Sequence, residues 1–140
     1  EITRAEAAQI IVNRLGLTSS GKRQRYSDVP DHHWASEAIA AATEAGILKG
    51  YDENTFKPNE TIKRSEVAAI LNRAYQLEQM MTTESVMTSF ADIDKNHWAY
   101  DDVSALVAHG ITTGYEDETF RPEKGTKRAE FVAFLYRSGS

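Results

Sequence analysis

Gly50-Tyr51-Asp52-Glu53-Asn54-Thr55-Phe56-Lys57-Pro58 returns as Gly114-Tyr115-Glu116-Asp117-Glu118-Thr119-Phe120-Arg121-Pro122. The offset from residue 50 to residue 114 is 64, and the same offset carries His33-Trp34-Ala35 onto His97-Trp98-Ala99. An Arg-small-Glu triplet opens a helical pattern three times: Arg4-Ala5-Glu6, Arg64-Ser65-Glu66 and Arg128-Ala129-Glu130. Repetition on this scale predicts stacked supersecondary units that share interfaces. It points to a surface used several times rather than to one catalytic centre.

Outward from these stretches the chain divides as follows. Residues 26–78 and 90–140 are full repeats, and residues 1–17 match only the C-terminal half of a first one. The chain is therefore expected to begin inside a repeat. Residues 18–25, with Ser19-Ser20-Gly21 and the basic run Lys22 to Arg25, read as a linker, as do residues 79–89.

Each full repeat opens on a short aromatic-led segment, Tyr26-Ser27-Asp28-Val29 or Phe90-Ala91-Asp92-Ile93. A helix is predicted to begin near Trp34 or Trp98. Ala35, Ala38, Ile39 and Ala42 lie on one face of the first, and Ala99, Val103, Leu106 and Val107 on one face of the second. Gly46 and Gly110 are placed to end these helices in the left-handed region. The turn-rich loop follows, with Phe56 or Phe120 expected to plug the repeat core.

A second helix starts near Arg64 or Arg128. Its apolar arc is broad: Val67, Ala68, Ile70, Leu71 and Ala74 in one copy, Phe131, Val132, Phe134 and Leu135 in the other. Ala7, Ala8, Ile10, Ile11 and Leu15 repeat the pattern near the start. Such an arc suits burial against two neighbours, so these three helices are expected to pack together at the centre of an all-α fold. Each is too short to stand alone in water.

Composition narrows the function. With 41% hydrophobic and 26% charged residues the chain reads as soluble and globular. No apolar run approaches the roughly 18 residues of a membrane span. The net charge of −5 lacks the basic footprint of a nucleic-acid binder. There is no cysteine, which excludes disulfides and thiolate metal sites. The four histidines have no metal-ligand spacing. The acidic loops lack the alternating ligands and central glycine of a calcium loop. No nucleophile elbow, phosphate-binding loop or dinucleotide fingerprint is present. No cofactor, metal or enzymatic activity is expected.

The recurrent arginines carry the functional argument. Thr3-Arg4-Ala5-Glu6 reads as a capping box, but Lys63 and Lys127 stand where Thr3 does in the other copies, and the Arg and Glu persist. An arginine in a helix's first turn is unfavourable towards the macrodipole, so its repetition needs another role. One is an ion pair with a neighbouring repeat. The other is holding an anion, helped by the free N–H groups of a helix N-terminus. Trp34 and Trp98 are either core packing or walls for a sugar ring.

These motifs resemble the S-layer homology domain. The resemblance rests on Trp34-Ala35, Gly46-Ile47, Gly50-Tyr51, Thr55-Phe56-Lys57-Pro58 and Arg64-Ser65-Glu66, on their counterparts from Trp98 to Glu130, and on Ile2-Thr3-Arg4-Ala5-Glu6. It covers nearly the whole chain except the linkers. It implies a pseudo-threefold assembly of lobes around a central three-helix bundle. It also implies secretion to the cell surface and non-covalent anchoring to the bacterial cell wall. The implied ligand is an acidic secondary cell-wall polysaccharide, often pyruvylated, with other S-layer protomers as further partners. On that analogy Arg4, Arg64 and Arg128 meet the carboxylate, and Trp34 and Trp98 line grooves beside them. Lys63 and Lys127, which replace the family's usual threonine, add positive charge, and Glu6, Glu66 and Glu130 orient neighbours. The alternative is a protein-interaction or self-assembly module in which Arg and Glu pair between repeats.

Overall fold

The computed structural model describes residues 1–20, 26–80 and 90–139. Five α-helices form: α1 (Arg4–Leu15), α2 (Ser36–Glu44), α3 (Arg64–Tyr75), α4 (Tyr100–Ala108) and α5 (Arg128–Ser138). A 3-10 turn, Glu78–Met80, follows α3, and its residues 79 and 80 fall in the stretch expected to be linker. Residues 21–25 and 81–89, the remainder of the two expected linkers apart from residues 18–20, lie outside the described residues. Among the described residues there is no strand, only the isolated antiparallel bridges Thr3–Thr61 and Lys63–Gly125.

The chain divides into two compact units, Glu1–Ile62 and Lys63–Ser140. In the first, α1 packs on α2, and in the second α3 packs on α4 and also meets α5. The helices headed by Arg4 and Arg64 thus lie against the short helix and loop of the repeat that follows each. The reason is visible at the helix starts. The Arg4 and Ala5 N–H groups donate to the carbonyls of Glu60 (2.8 Å) and Pro58 (3.0 Å). The Arg64 and Ser65 N–H groups do the same to Lys124 (3.0 Å) and Pro122 (2.9 Å). Donors that a helix N-terminus leaves without intrahelical partners are satisfied by the next repeat's loop. The expectation that α1 and α3 keep these N–H groups for an anion is therefore corrected.

The short helices begin just after the tryptophans, at Ser36 and Tyr100. Ala35, Ala38, Ile39 and Ala42 are buried, as are Ala99, Val103 and Leu106. Gly46 and Gly110 close them at φ 75° and 70°. Phe56 and Phe120 are fully buried.

α5 departs from its siblings. In α3 the outer positions Arg64, Ser65, Ala68 and Asn72 are buried beneath the neighbouring elements. Their register equivalents in α5, Arg128, Ala129, Val132 and Tyr136, are exposed. A groove of about 820 Å³ runs along this face. Val132 thus leaves the apolar arc expected for it, because among the described residues no short helix of its unit covers that side.

Gly114 gives a direct test of how tightly a loop is seated. It has φ +78°, and a Cβ there would overlap the Phe90 ring and lie 2.9 Å from the Thr119 carbonyl oxygen. Gly16 also has a positive φ, +65°, but faces open space. Gly114→Ala is expected to cost about 2–3 kcal/mol, from overpacking added to backbone strain. Gly16→Ala should cost only the strain, about 1 kcal/mol. Urea unfolding of both variants checks the difference.

Candidate functional site

Two of the three recurrent arginines belong to the interior of their units. Arg4 is 4% exposed and Arg64 is 2% exposed. Arg4 donates from Nε to the Phe56 carbonyl (2.8 Å) and from Nη2 to the Lys49 carbonyl (2.7 Å), with Cζ 4.6 Å from the Phe56 ring centre. Arg64 donates from Nε to the Phe120 carbonyl (2.7 Å), and its Nη1 pairs with the Glu130 carboxylate. The rings of Phe120 and Tyr115 lie 4.5 and 4.8 Å from its Cζ. A buried guanidinium is tolerable only when hydrogen-bonded, and here carbonyls, rings and a carboxylate supply those partners. This corrects the expectation that Arg4 and Arg64 face open crevices. The Arg64–Glu130 pair joins repeat two to repeat three.

The carbonyl that each arginine grips is aimed by an aspartate the sequence reading passed over. Asp28 accepts from the N–H groups of Phe56 (2.9 Å) and Lys57 (2.8 Å), one on each oxygen. Asp92 accepts in the same way from Phe120 (2.9 Å) and Arg121 (2.8 Å). The clamp holds Lys57 and Arg121 at φ 59° and 60°, which non-glycine residues rarely adopt. The recurrence of Asp28 as Asp92 at the 64-residue offset was the available signal.

The remaining predicted residues are on the outside. Arg128, Lys63 and Lys127 are exposed, and Lys63 Nζ lies 3.5 Å from a Glu123 oxygen. Trp34 and Trp98 are 61% and 58% exposed, so core packing is not their role. A histidine lies against each indole: His33 at 5.6 Å and 28°, His97 at 5.9 Å and 26°. Glu6 and Glu66 accept from the N–H groups of Thr3 and Lys63, each at 2.9 Å. Only around Thr3 is the box complete, with the Glu6 N–H donating to Thr3 Oγ1 (3.1 Å). The glutamate keeps its capping bond at α3 although the threonine is gone.

The loops carry their own electrostatics. Asp52 is held below the usual carboxylate range chiefly by the Asn54 N–H, and Asp117 chiefly by the Thr119 hydroxyl. Burial raises the Tyr26 phenol, and a hydrogen bond with the Gly50 backbone opposes that. Lys57 Nζ rests 3.5 Å from the Tyr51 ring centre, and Arg121 Cζ 3.8 Å from that of Tyr115. Both basic side chains thus lie against rings of their own loops. Among the described residues no three His, Asp or Glu side chains are grouped to hold a metal ion. Among the described residues no helix is long and apolar enough to cross a membrane.

Comparison with known proteins adds the following. A family model described as the S-layer homology domain matches residues 25–68 and 89–132. A cellulosome-anchoring protein of Acetivibrio thermocellus is 42% identical, aligned over 98% of this chain and 32% of its own length. Cell surface glycoprotein 1 of the same organism is 38% identical over 98% of this chain and 6% of its own. An amylopullulanase of Thermoanaerobacterium thermosulfurigenes is 35% identical over 96% of this chain and 7% of its own. The chain spans about a third or less of the length of these relatives.

Proposed function

We propose a function from one premise: the chain belongs to the S-layer homology domain family. It is a module of the bacterial cell surface that anchors a protein non-covalently to the cell wall. The names of the anchoring protein and the surface glycoprotein support that reading. The module itself is non-catalytic. The amylopullulanase shares with it only a small fraction of its length, as expected where chemistry resides elsewhere and the shared segment holds it in place. The finer proposal is that the ligand is an acidic, pyruvylated secondary cell-wall polysaccharide, with other S-layer protomers as neighbours on the wall.

The observation that carries the proposal is the pair of tryptophans, each more than half exposed at equivalent positions. An exposed indole offers a flat apolar face on which a sugar ring can lie, and repetition multiplies a weak ring contact by avidity. Positive charge for the acidic substituent comes from the exposed Lys63, Lys127 and Arg128. Arg4 and Arg64 act differently, as internal struts that hold the loops to the helices. For Arg64 this is the alternative reading of Arg–Glu pairing between repeats, and its pair with Glu130 favours it.

Retention on purified wall sacculi is the test. Trp34→Ala with Trp98→Ala is expected to weaken retention at least tenfold, about 1.4 kcal/mol. Lys63→Ala, Lys127→Ala and Arg128→Ala together should weaken it and reduce its salt sensitivity. Removal of the acidic substituent from the polymer should mimic the triple variant. Undiminished retention of both variants, with wild-type circular dichroism, would refute the proposal.

A further inference from the structure

We propose that His33 and His97 are positioning residues, which lock Trp34 and Trp98 so that each presents one ring face to the uncharged face of a pyranose. The ligand in this statement rests on the anchoring reading above. The geometry does not.

Each imidazole is fixed through backbone contacts. The His33 Nδ1 accepts from the Ala35 N–H at 3.0 Å, and the His97 Nδ1 from the Ala99 N–H at 3.0 Å. The His33 N–H donates to the Pro30 carbonyl (2.9 Å) and its carbonyl accepts from Ser36 (3.0 Å). His97 repeats this with Asp94 and Tyr100, each at 3.0 Å. Accepting at Nδ1 leaves the proton of the neutral ring on Nε2. The residues whose N–H groups hold the imidazoles, Ala35 and Ala99, are the N-caps of α2 and α4 and are completely buried. A ring held this way is a wall, and the neighbouring indole lies against it at 28° in one copy and 26° in the other.

The same contact at two sites 64 residues apart in sequence is hard to ascribe to chance packing. An indole more than half exposed would otherwise lose rotamer freedom on binding, at about 0.5–1.5 kcal/mol per side chain. The histidine removes that freedom in advance. Its surroundings select the partner. Asp31 and His32 beside one platform, and Asp94, Lys95 and Asn96 beside the other, are all exposed. Each platform is thus one aromatic ring set among polar groups, not part of a wide apolar patch of the kind that docks proteins. A sugar ring, with C–H groups on its face and hydroxyls at its edge, matches that pattern.

Two substitutions separate ring stacking from turn capping. In His33→Asn with His97→Asn, the side-chain carbonyl still accepts from the N–H two residues on, but the stacking ring is gone. In His33→Ala with His97→Ala both contacts are lost. The intact chain is used throughout, with time-resolved tryptophan anisotropy in the absence of any polymer and then titration with purified wall polysaccharide. The Asn pair is expected to keep the wild-type melting temperature, to show larger and faster indole motion, and to bind the polysaccharide about three- to tenfold more weakly. Unchanged indole motion overturns the proposal. So does faster motion with unchanged affinity, because the platform then does not meet the sugar. A wild-type chain that the polysaccharide fails to bind instead overturns the anchoring reading, while the anisotropy comparison still tests the positioning of the indoles.

Discussion

Arg64→Ala should strongly destabilise the second unit rather than merely weaken a surface contact. The side chain is 2% exposed and makes a hydrogen bond to the Phe120 carbonyl and an ion pair with Glu130. Removing it leaves a buried carbonyl unsatisfied, a carboxylate without its counter-charge, and a void among the rings of Phe120, Tyr115 and Phe134. Breaking a buried pair from one side costs about 3–5 kcal/mol. Glu130 is 25% exposed and can draw on water, so most of the loss arises at the carbonyl and the void. In a unit of this size the melting temperature should fall by roughly 12 °C or more.

Arg64→Lys should recover only part of this, since one ammonium cannot match the fork that reaches the carbonyl and the carboxylate together. Arg128→Ala, at the equivalent but exposed position, should cost about 1 kcal/mol or less. Differential scanning calorimetry of the three variants distinguishes the outcomes. Equal, small shifts for Arg64→Ala and Arg128→Ala would show that Arg64 is not a strut.

That contrast marks where sequence reading stops. The three triplets located three helix starts to the residue, because Arg4, Arg64 and Arg128 each occupy the first helical position. The glycines that end the short helices and the phenylalanines that plug the loops were legible for the same reason: backbone sign and apolarity are local properties of a motif. What the triplets could not disclose is what the guanidinium meets. The partners of Arg4 and Arg64 are main-chain carbonyls, and a carbonyl carries no letter in a sequence. Which carbonyl points inward depends on Lys57 and Arg121 adopting a left-handed turn under an aspartate clamp. Exposure of Arg128 is equally hidden, since its triplet is nearly identical to the others. It differs because of what packs on α5, not because of what α5 contains. For the tryptophans the sequence left core and surface equally open. The turn before α2 and α4 decided it, by sending the neighbouring alanine inward and the indole out.

Phe120→Ala is expected to match the arginine variant in size through a different cause. The ring is fully buried, tilted against Phe90 at 5.7 Å, and covers the Arg64 guanidinium at 4.5 Å. Truncation removes the transferred apolar surface and leaves a cavity, together about 3–5 kcal/mol. The loss includes part of a cation–π contact, about 1–2 kcal/mol when desolvated. The hydrogen bond from Arg64 Nε goes to the backbone of residue 120, so the substitution does not delete it. Phe120→Leu should therefore restore most of the stability, within about 1.5 kcal/mol of wild type, because volume is nearly kept and the strut is intact. An arginine strut without its ring and a ring without its strut can be compared in a double-mutant cycle of Phe120→Leu and Arg64→Ala. A coupling of about 1 kcal/mol or more in urea unfolding is expected for groups in contact. Strict additivity would mean that ring and guanidinium stabilise the loop independently, and that the arginine's repetition is owed to its carbonyl contacts alone.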